Sequence, residues 1–181
     1  TIQQQGEVQD VVITYLQGQS NNNIRSLQIG GSKRIAFTKW WVVDKVLGKG
    51  SQVRTMAPYD LVIQYDRQVN EPTSNFDVAI TIKNELDIPL LTGSSMFSNE
   101  SFSSIPPKGY IICRFDTMPL VPGNYVVKLW CGRMRETFLS IENAGYIDVV
   151  ENESFRINKW PRPGKHGAVY VANNWKISEE L

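Results

Sequence analysis

The feature that most limits what this chain can fold into is a repeat of two residues. Tyr59 to Asp66 sets Tyr59, Leu61, Ile63 and Tyr65 on one side and Asp60, Gln64 and Asp66 on the other. Phe76 to Lys83 does the same, with Phe76, Val78, Ile80 and Ile82 against Asp77, Thr81 and Lys83. Successive side chains of an extended strand point to opposite faces, so each segment reads as a half-buried strand. Further β-rich runs lie at Arg34 to Val43, Pro89 to Phe97, Tyr110 to Phe115, Tyr125 to Cys131 and Tyr146 to Val150. Gly48-Lys49-Gly50, Pro106-Pro107-Lys108-Gly109 and Pro122-Gly123-Asn124 supply turns. The one helical candidate is a turn near Ser140 to Ala144. About seven short strands separated by turns predict an all-β chain, an immunoglobulin-like or jelly-roll antiparallel β-sandwich.

Pro122-Gly123-Asn124-Tyr125 opens an alternating strand, where a tyrosine corner bonds its hydroxyl back to upstream backbone in immunoglobulin-like sandwiches. With Tyr125 starting the sixth strand, segments 76–83, 125–131 and 146–150 share one sheet in Greek-key order. Their inward set is Val78, Ile80, Ile82, Tyr125, Val127, Leu129, Ile147 and Val149, and their outward set Asp77, Thr81, Lys83, Lys128, Trp130, Tyr146 and Asp148.

That outward set carries the candidate site. A pyranose offers an apolar ring face and a rim of hydroxyls, so its receptor needs a flat aromatic platform flanked by donors and acceptors. Trp130 and Tyr146 are the candidate platform, and Lys128, Thr81 and Asp148 the candidate rim. The competing reading is that a loop or a second chain covers Trp130. Adjacent Trp40 and Trp41 face opposite ways, one into the core and the other to the surface or an interface.

Other chemistries fare worse. The 19 Lys and Arg against 18 Asp and Glu give a net charge of +1, with no basic block to neutralise a row of phosphates, so nucleic acid is not an expected partner. Gly30-Gly31-Ser32-Lys33 lacks the P-loop spacing and no GxSxG elbow occurs, so no catalytic residue is assigned and the chain reads as a non-enzyme. His166 is the single histidine and no CxxC occurs, so no metal site and no cofactor is expected. Cys113 and Cys131 read as two buried free thiols of a reducing compartment, with a bridge between neighbouring strands as the alternative. No apolar run approaches the ~20 residues of a membrane span, and no secretion signal is seen.

Three regions follow. Residues 1–24 are polar and read as a linker with one edge-strand candidate, Val11 to Leu16, as in a piece cut from a larger protein. Residues 25–151 form the sandwich. Residues 152–181 form a hinge, with Trp160-Pro161-Arg162-Pro163-Gly164, and a docking strand, Gly167 to Ala172, that pairs at a distance and is a candidate for exchange in a dimer.

Read in order, several pieces resemble the carbohydrate-binding C-terminal domain of Wzt-type proteins, the nucleotide-binding subunits of ABC transporters that export O-antigen polysaccharide. These are Ile29-Gly30-Gly31 before RIAF, Tyr59 to Tyr65 followed by Asn70-Glu71-Pro72, FDVAITIKNE, IPPKGYIICRF leading into MPLVPGNYVVKLW, Ala144 to Val150, and GAVYVANNW. The resemblance runs from about Leu27 to Trp175. It implies a sandwich that recognises the non-reducing end of a polysaccharide, a homodimer, an exporter subunit reached through an ATPase domain preceding residue 1, and a cytoplasmic place at the bacterial inner membrane. It carries over no binding residue. A protein-interaction or adhesin-type immunoglobulin module, or the accessory module of a carbohydrate-active enzyme, are the alternatives.

Overall fold

Alternation sets the inward face of the longer strands, such as Ile35–Asp44, Tyr59–Arg67 and Gly123–Arg133, and two such faces pressed together make the core. The computed structural model describes residues 34–67, 76–98, 100, 102–133, 136–154, 160–171 and 173. Among the described residues nine strands run in chain order: β1 (Ile35–Asp44), β2 (Gly48–Gly50), β3 (Gln52–Arg54), β4 (Tyr59–Arg67), β5 (Asp77–Lys83), β6 (Pro89–Ser94), β7 (Lys108–Phe115), β8 (Gly123–Arg133) and β9 (Glu136–Val150). One sheet has the order β2-β1-β4-β7 and the other β3-β9-β8-β5-β6. The pairs are antiparallel except β3 with β9, which run parallel, so the larger sheet is mixed. Among the described residues no helix is long and apolar enough to cross a membrane.

The predicted sharing of one sheet by 76–83, 125–131 and 146–150 holds: β8 lies between β5 and β9 with Ile80 opposite Leu129 and Tyr125 opposite Ile147. All eight predicted inward residues of these strands are buried, as are Tyr59, Leu61, Ile63 and Tyr65 of β4. Burying side chains such as Leu61, Ile80 or Leu129 stabilises by about 1.5–3 kcal/mol each. The tyrosine corner is present, with Tyr125 Oη donating to the Val121 carbonyl at 2.7 Å. Cys113 and Cys131 are both free, one on each sheet, but only Cys131 is buried as expected; Cys113, on an edge strand, is partly exposed.

Three expectations need correction. Asp77 and Lys83, assigned outward by alternation, are buried. Ser95 closes over Asp77 and donates to its Oδ1 at 3.2 Å. The β5–β6 turn folds over Lys83, because Asn84 Oδ1 accepts from the N–H groups of Leu86 (3.0 Å) and Ile88 (2.9 Å) and so brings Asp87 onto the Lys83 ammonium. The helical turn expected near Ser140 to Ala144 is a bulge inside β9: Val127 pairs with Gly145 and Leu129 with Ile141, so Glu142, Asn143 and Ala144 stand opposite Lys128 alone.

Trp40, the inward member of the tryptophan pair, holds that bulge. Its indole N–H donates to the Ala144 carbonyl at 2.7 Å in a buried contact that joins the two sheets. Gly145 has φ +133°, and a Cβ there would lie 3.2 Å from the Trp40 ring.

In the C-terminal region Pro163–His166 form one helical turn. Val169 then bridges Leu120 antiparallel, with Val121 N donating to Ala168 O at 2.9 Å and Tyr170 N to Pro119 O at 2.7 Å. The segment meets Leu120 through a single bridge rather than a long strand. Residues 1–33, including the edge-strand candidate Val11 to Leu16, lie outside the described residues, as do Asn70-Glu71-Pro72, Ala172 and Trp175.

Candidate functional site

The outer face of the five-stranded sheet carries all five candidate residues, in two groups. Thr81 lies opposite Lys128 across the β5–β8 ladder, and Trp130 follows two residues along β8 on the same face. Tyr146 pairs with Val126 and Asp148 with Asn124, nearer the start of β8. Val126 and Trp130 are four residues apart, roughly 13 Å at strand rise. Trp130 and Tyr146 therefore do not stack side by side; they flank the polar row between them.

Trp130 is held in place. Its Nε1–H donates to Thr137 Oγ1 at 3.1 Å. The ring lies against the backbone at Gly132, where a Cβ would come within 2.6 Å of the indole. Glycine at that position lets the ring lie along the strand.

The polar row is denser than the sequence foretold. Thr81 and Thr92 hydroxyls lie 3.1 Å apart. The β9 bulge delivers Glu142, whose carboxylate meets Lys128 Nζ at 2.8 Å and Lys83 Nζ at 3.5 Å, and accepts from Ser140 Oγ at 3.0 Å. The hydrogen bond from Lys128 outweighs the opposing effect of burial and, with the hydrogen bond from Ser140 and the charges of both lysines, holds the Glu142 carboxyl below its usual range. Thr92 and Glu142 therefore stand in contact with the candidate residues Thr81 and Lys128, where sequence reasoning did not place them. Asp148 is already engaged, accepting from Gln52 Nε2 at 2.9 Å. This face offers fixed hydroxyl, ammonium and carboxylate groups beside an immobilised indole, the chemistry that a polyhydroxylated ligand requires.

A groove of about 650 Å³ opens between edge strands β6 and β7, lined in part by core side chains such as Val78, Ile80 and Ile111. Two of its serines serve the fold: Ser95 bonds Asp77 and the Val78 N–H, and Ser98 bonds the carbonyls of Ser94 and Ser95 and the Glu100 carboxylate. Among the described residues no group of three or more His, Cys, Asp or Glu could hold a metal ion.

Comparison with known proteins bears on this architecture. The family model of the Wzt C-terminal domain matches residues 27–159. A crystal structure of the C-terminal domain of Wzt aligns with a TM-score of 0.63 at 11% identity, covering 86% of this chain and 92% of that one. At that identity the likeness bears on the fold alone. A comparison with curated proteins finds no match.

Proposed function

The chain belongs to the Wzt C-terminal domain family, and from that membership we propose that it is a non-catalytic carbohydrate-binding domain that gives an ABC exporter its specificity for an O-antigen polysaccharide. The observation that carries this reading is the outer face of the five-stranded sheet, where the Thr81–Lys128–Glu142 row runs beside the immobilised Trp130. On this reading the indole stacks on an apolar sugar face while the row exchanges hydrogen bonds with its hydroxyls. Tyr146, 39% exposed about 13 Å farther along the sheet, contacts a later residue of the same glycan. The family supports a homodimer, an attached ATPase domain that couples the sandwich to a membrane-spanning exporter subunit, and a place at the cytoplasmic face of the inner membrane.

A shallow sheet face desolvates little surface, so the expected affinity is in the µM to mM range, about −4 to −8 kcal/mol. Calorimetric titration of the 181-residue chain with O-antigen polysaccharides, capped and uncapped at the non-reducing end, tests it. Trp130→Ala is expected to weaken binding by about tenfold or more, roughly 1.4 kcal/mol, and Tyr146→Ala by less. Equal titrations for both variants and the parent would remove the site from this face. A parent that binds none of the polysaccharides would refute the carbohydrate reading itself.

A further inference from the structure

The four-stranded sheet has its own outward face, and alternation brings a second set of ligand-competent groups together there. Lys39 of β1, Gln64 of β4 and Tyr110 of β7 stand in one row across the sheet, Lys39 opposite Gln64 and Gln64 opposite Tyr110. Tyr110 is 62% exposed. Its orientation is nevertheless set: Trp41, the outward partner of Trp40, meets it edge to face with ring centroids 6.0 Å apart at 72°. Trp41 is held in turn by the Lys49 ammonium, 3.9 Å from the centre of its ring. Lys49 thus occupies a face of Trp41, while the Tyr110 ring stays open to solvent.

Beside that ring lies a cleft of about 380 Å³, within the ~300–1,000 Å³ typical of small-molecule sites. Gln64 and Lys39 both line it, and neither the side-chain amide nor the ammonium has a hydrogen-bond or ion-pair partner among the described residues. Asp66, paired with Lys108 at 3.5 Å, closes the rim. A protein interface built on this sheet would centre on Ile112, which is 61% exposed, whereas the cleft offers one oriented aromatic ring beside an amide and a cation that are unpaired among the described residues. An amide presents a donor and an acceptor side by side, which suits vicinal hydroxyls. An oriented tyrosine beside such groups matches a sugar ring in shape and polarity.

We propose that the cleft beside Tyr110 is a second saccharide subsite, on the face of the sandwich opposite to Trp130, with Tyr110 as the stacking surface and Gln64 and Lys39 as its polar contacts. The proposal rests on the carbohydrate reading of the domain. Two subsites on opposite faces let one domain engage two segments of a long polymer, which raises avidity without deepening either site.

The test uses an array of purified bacterial O-antigen polysaccharides, followed by titration of the strongest binder into the parent chain and into Tyr110→Ala, Gln64→Ala, Tyr110→Phe and Trp130→Ala. Tyr110 is exposed, and a thermal melt of each variant confirms that it is folded. The expected result is a loss of about tenfold in apparent affinity for Tyr110→Ala and about threefold or more for Gln64→Ala, near-parent binding by Tyr110→Phe, and residual binding by Trp130→Ala that the added Tyr110→Ala removes. Parent-like binding by both Tyr110→Ala and Gln64→Ala, with Trp130→Ala abolishing binding alone, overturns the second subsite and leaves the first intact. Self-association that Tyr110→Ala disrupts without changing glycan binding overturns it in favour of a protein interface. A parent that binds no polysaccharide overturns both sites together.

Discussion

Two buried tyrosines put the energetics of the core to a controlled test, because the same substitution should have opposite results. Tyr125 and Tyr59 are each 2% exposed. The Tyr125 hydroxyl donates to the Val121 carbonyl at 2.7 Å, and burial pushes its ionisation up to about 12. Among the described residues the Tyr59 hydroxyl has no hydrogen-bond partner, although its ring stacks on Phe115 at 4.7 Å with an interplanar angle of 3°. Tyr125→Phe removes a hydrogen bond and leaves a buried carbonyl without that donor, a cost of about 1–3 kcal/mol. Tyr59→Phe removes a polar atom that is already unsatisfied and keeps the stacked ring, so it should be neutral or stabilising. In a domain of this size 1 kcal/mol moves Tm by roughly 2–4 °C. Calorimetry should therefore show Tyr125→Phe melting about 2–12 °C below the parent, and Tyr59→Phe at or above it. Equal losses in both variants would refute the reasoning, since the hydrogen-bond difference would then have no energetic counterpart.

Two further outcomes follow from the same physics. Gly145→Ala requires φ +133° of a residue with a Cβ and presses that atom toward the Trp40 ring; it should cost about 1–3 kcal/mol and lower glycan affinity by displacing Glu142, measured by denaturant titration and calorimetric binding on one sample. Asp44 is fully buried, and burial would raise its carboxyl, but Arg54 and the N–H groups of Val46, Arg54 and Leu47 together hold it below its usual value. Its contribution to stability is therefore complete above the unfolded value of ~3.9 and is lost as pH falls through the lower folded value. Asp44→Asn should accordingly flatten the decline of the denaturation midpoint between pH 5 and 2, to an extent read against the parent's curve.

Much of the fold is legible because a two-residue repeat carries face and burial together. The inward sets of β4, β5, β8 and β9 need only the pleat. Asp77 and Lys83 escape that logic because what buries them arrives from elsewhere: Ser95, the Asp87 turn and Glu142. Adjacency shows that Trp40 and Trp41 face opposite ways, but not which is inside; that is decided by a carbonyl of Ala144, 104 residues away. The same distant contact hides the bulge, since Glu142-Asn143-Ala144-Gly145 reads locally as a turn. The candidate site was legible to the same degree. Its face was readable from alternation, while Glu142 and Thr92, which complete the polar row, depend on a bulge and on β5–β6 pairing that no local pattern reveals.

The β9 bulge also says where this surface is free to vary in length. Pairing is fixed on either side of it, Val127 with Gly145 and Leu129 with Ile141, so residues added or removed between those pairs leave both flanking ladders in register. Ala144 and Gly145 are tied to Trp40, whereas Glu142 and Asn143 project to solvent. An insertion after Asn143 would therefore build outward over Lys128 from a foundation that stays in place, giving one sandwich a succession of differently shaped roofs.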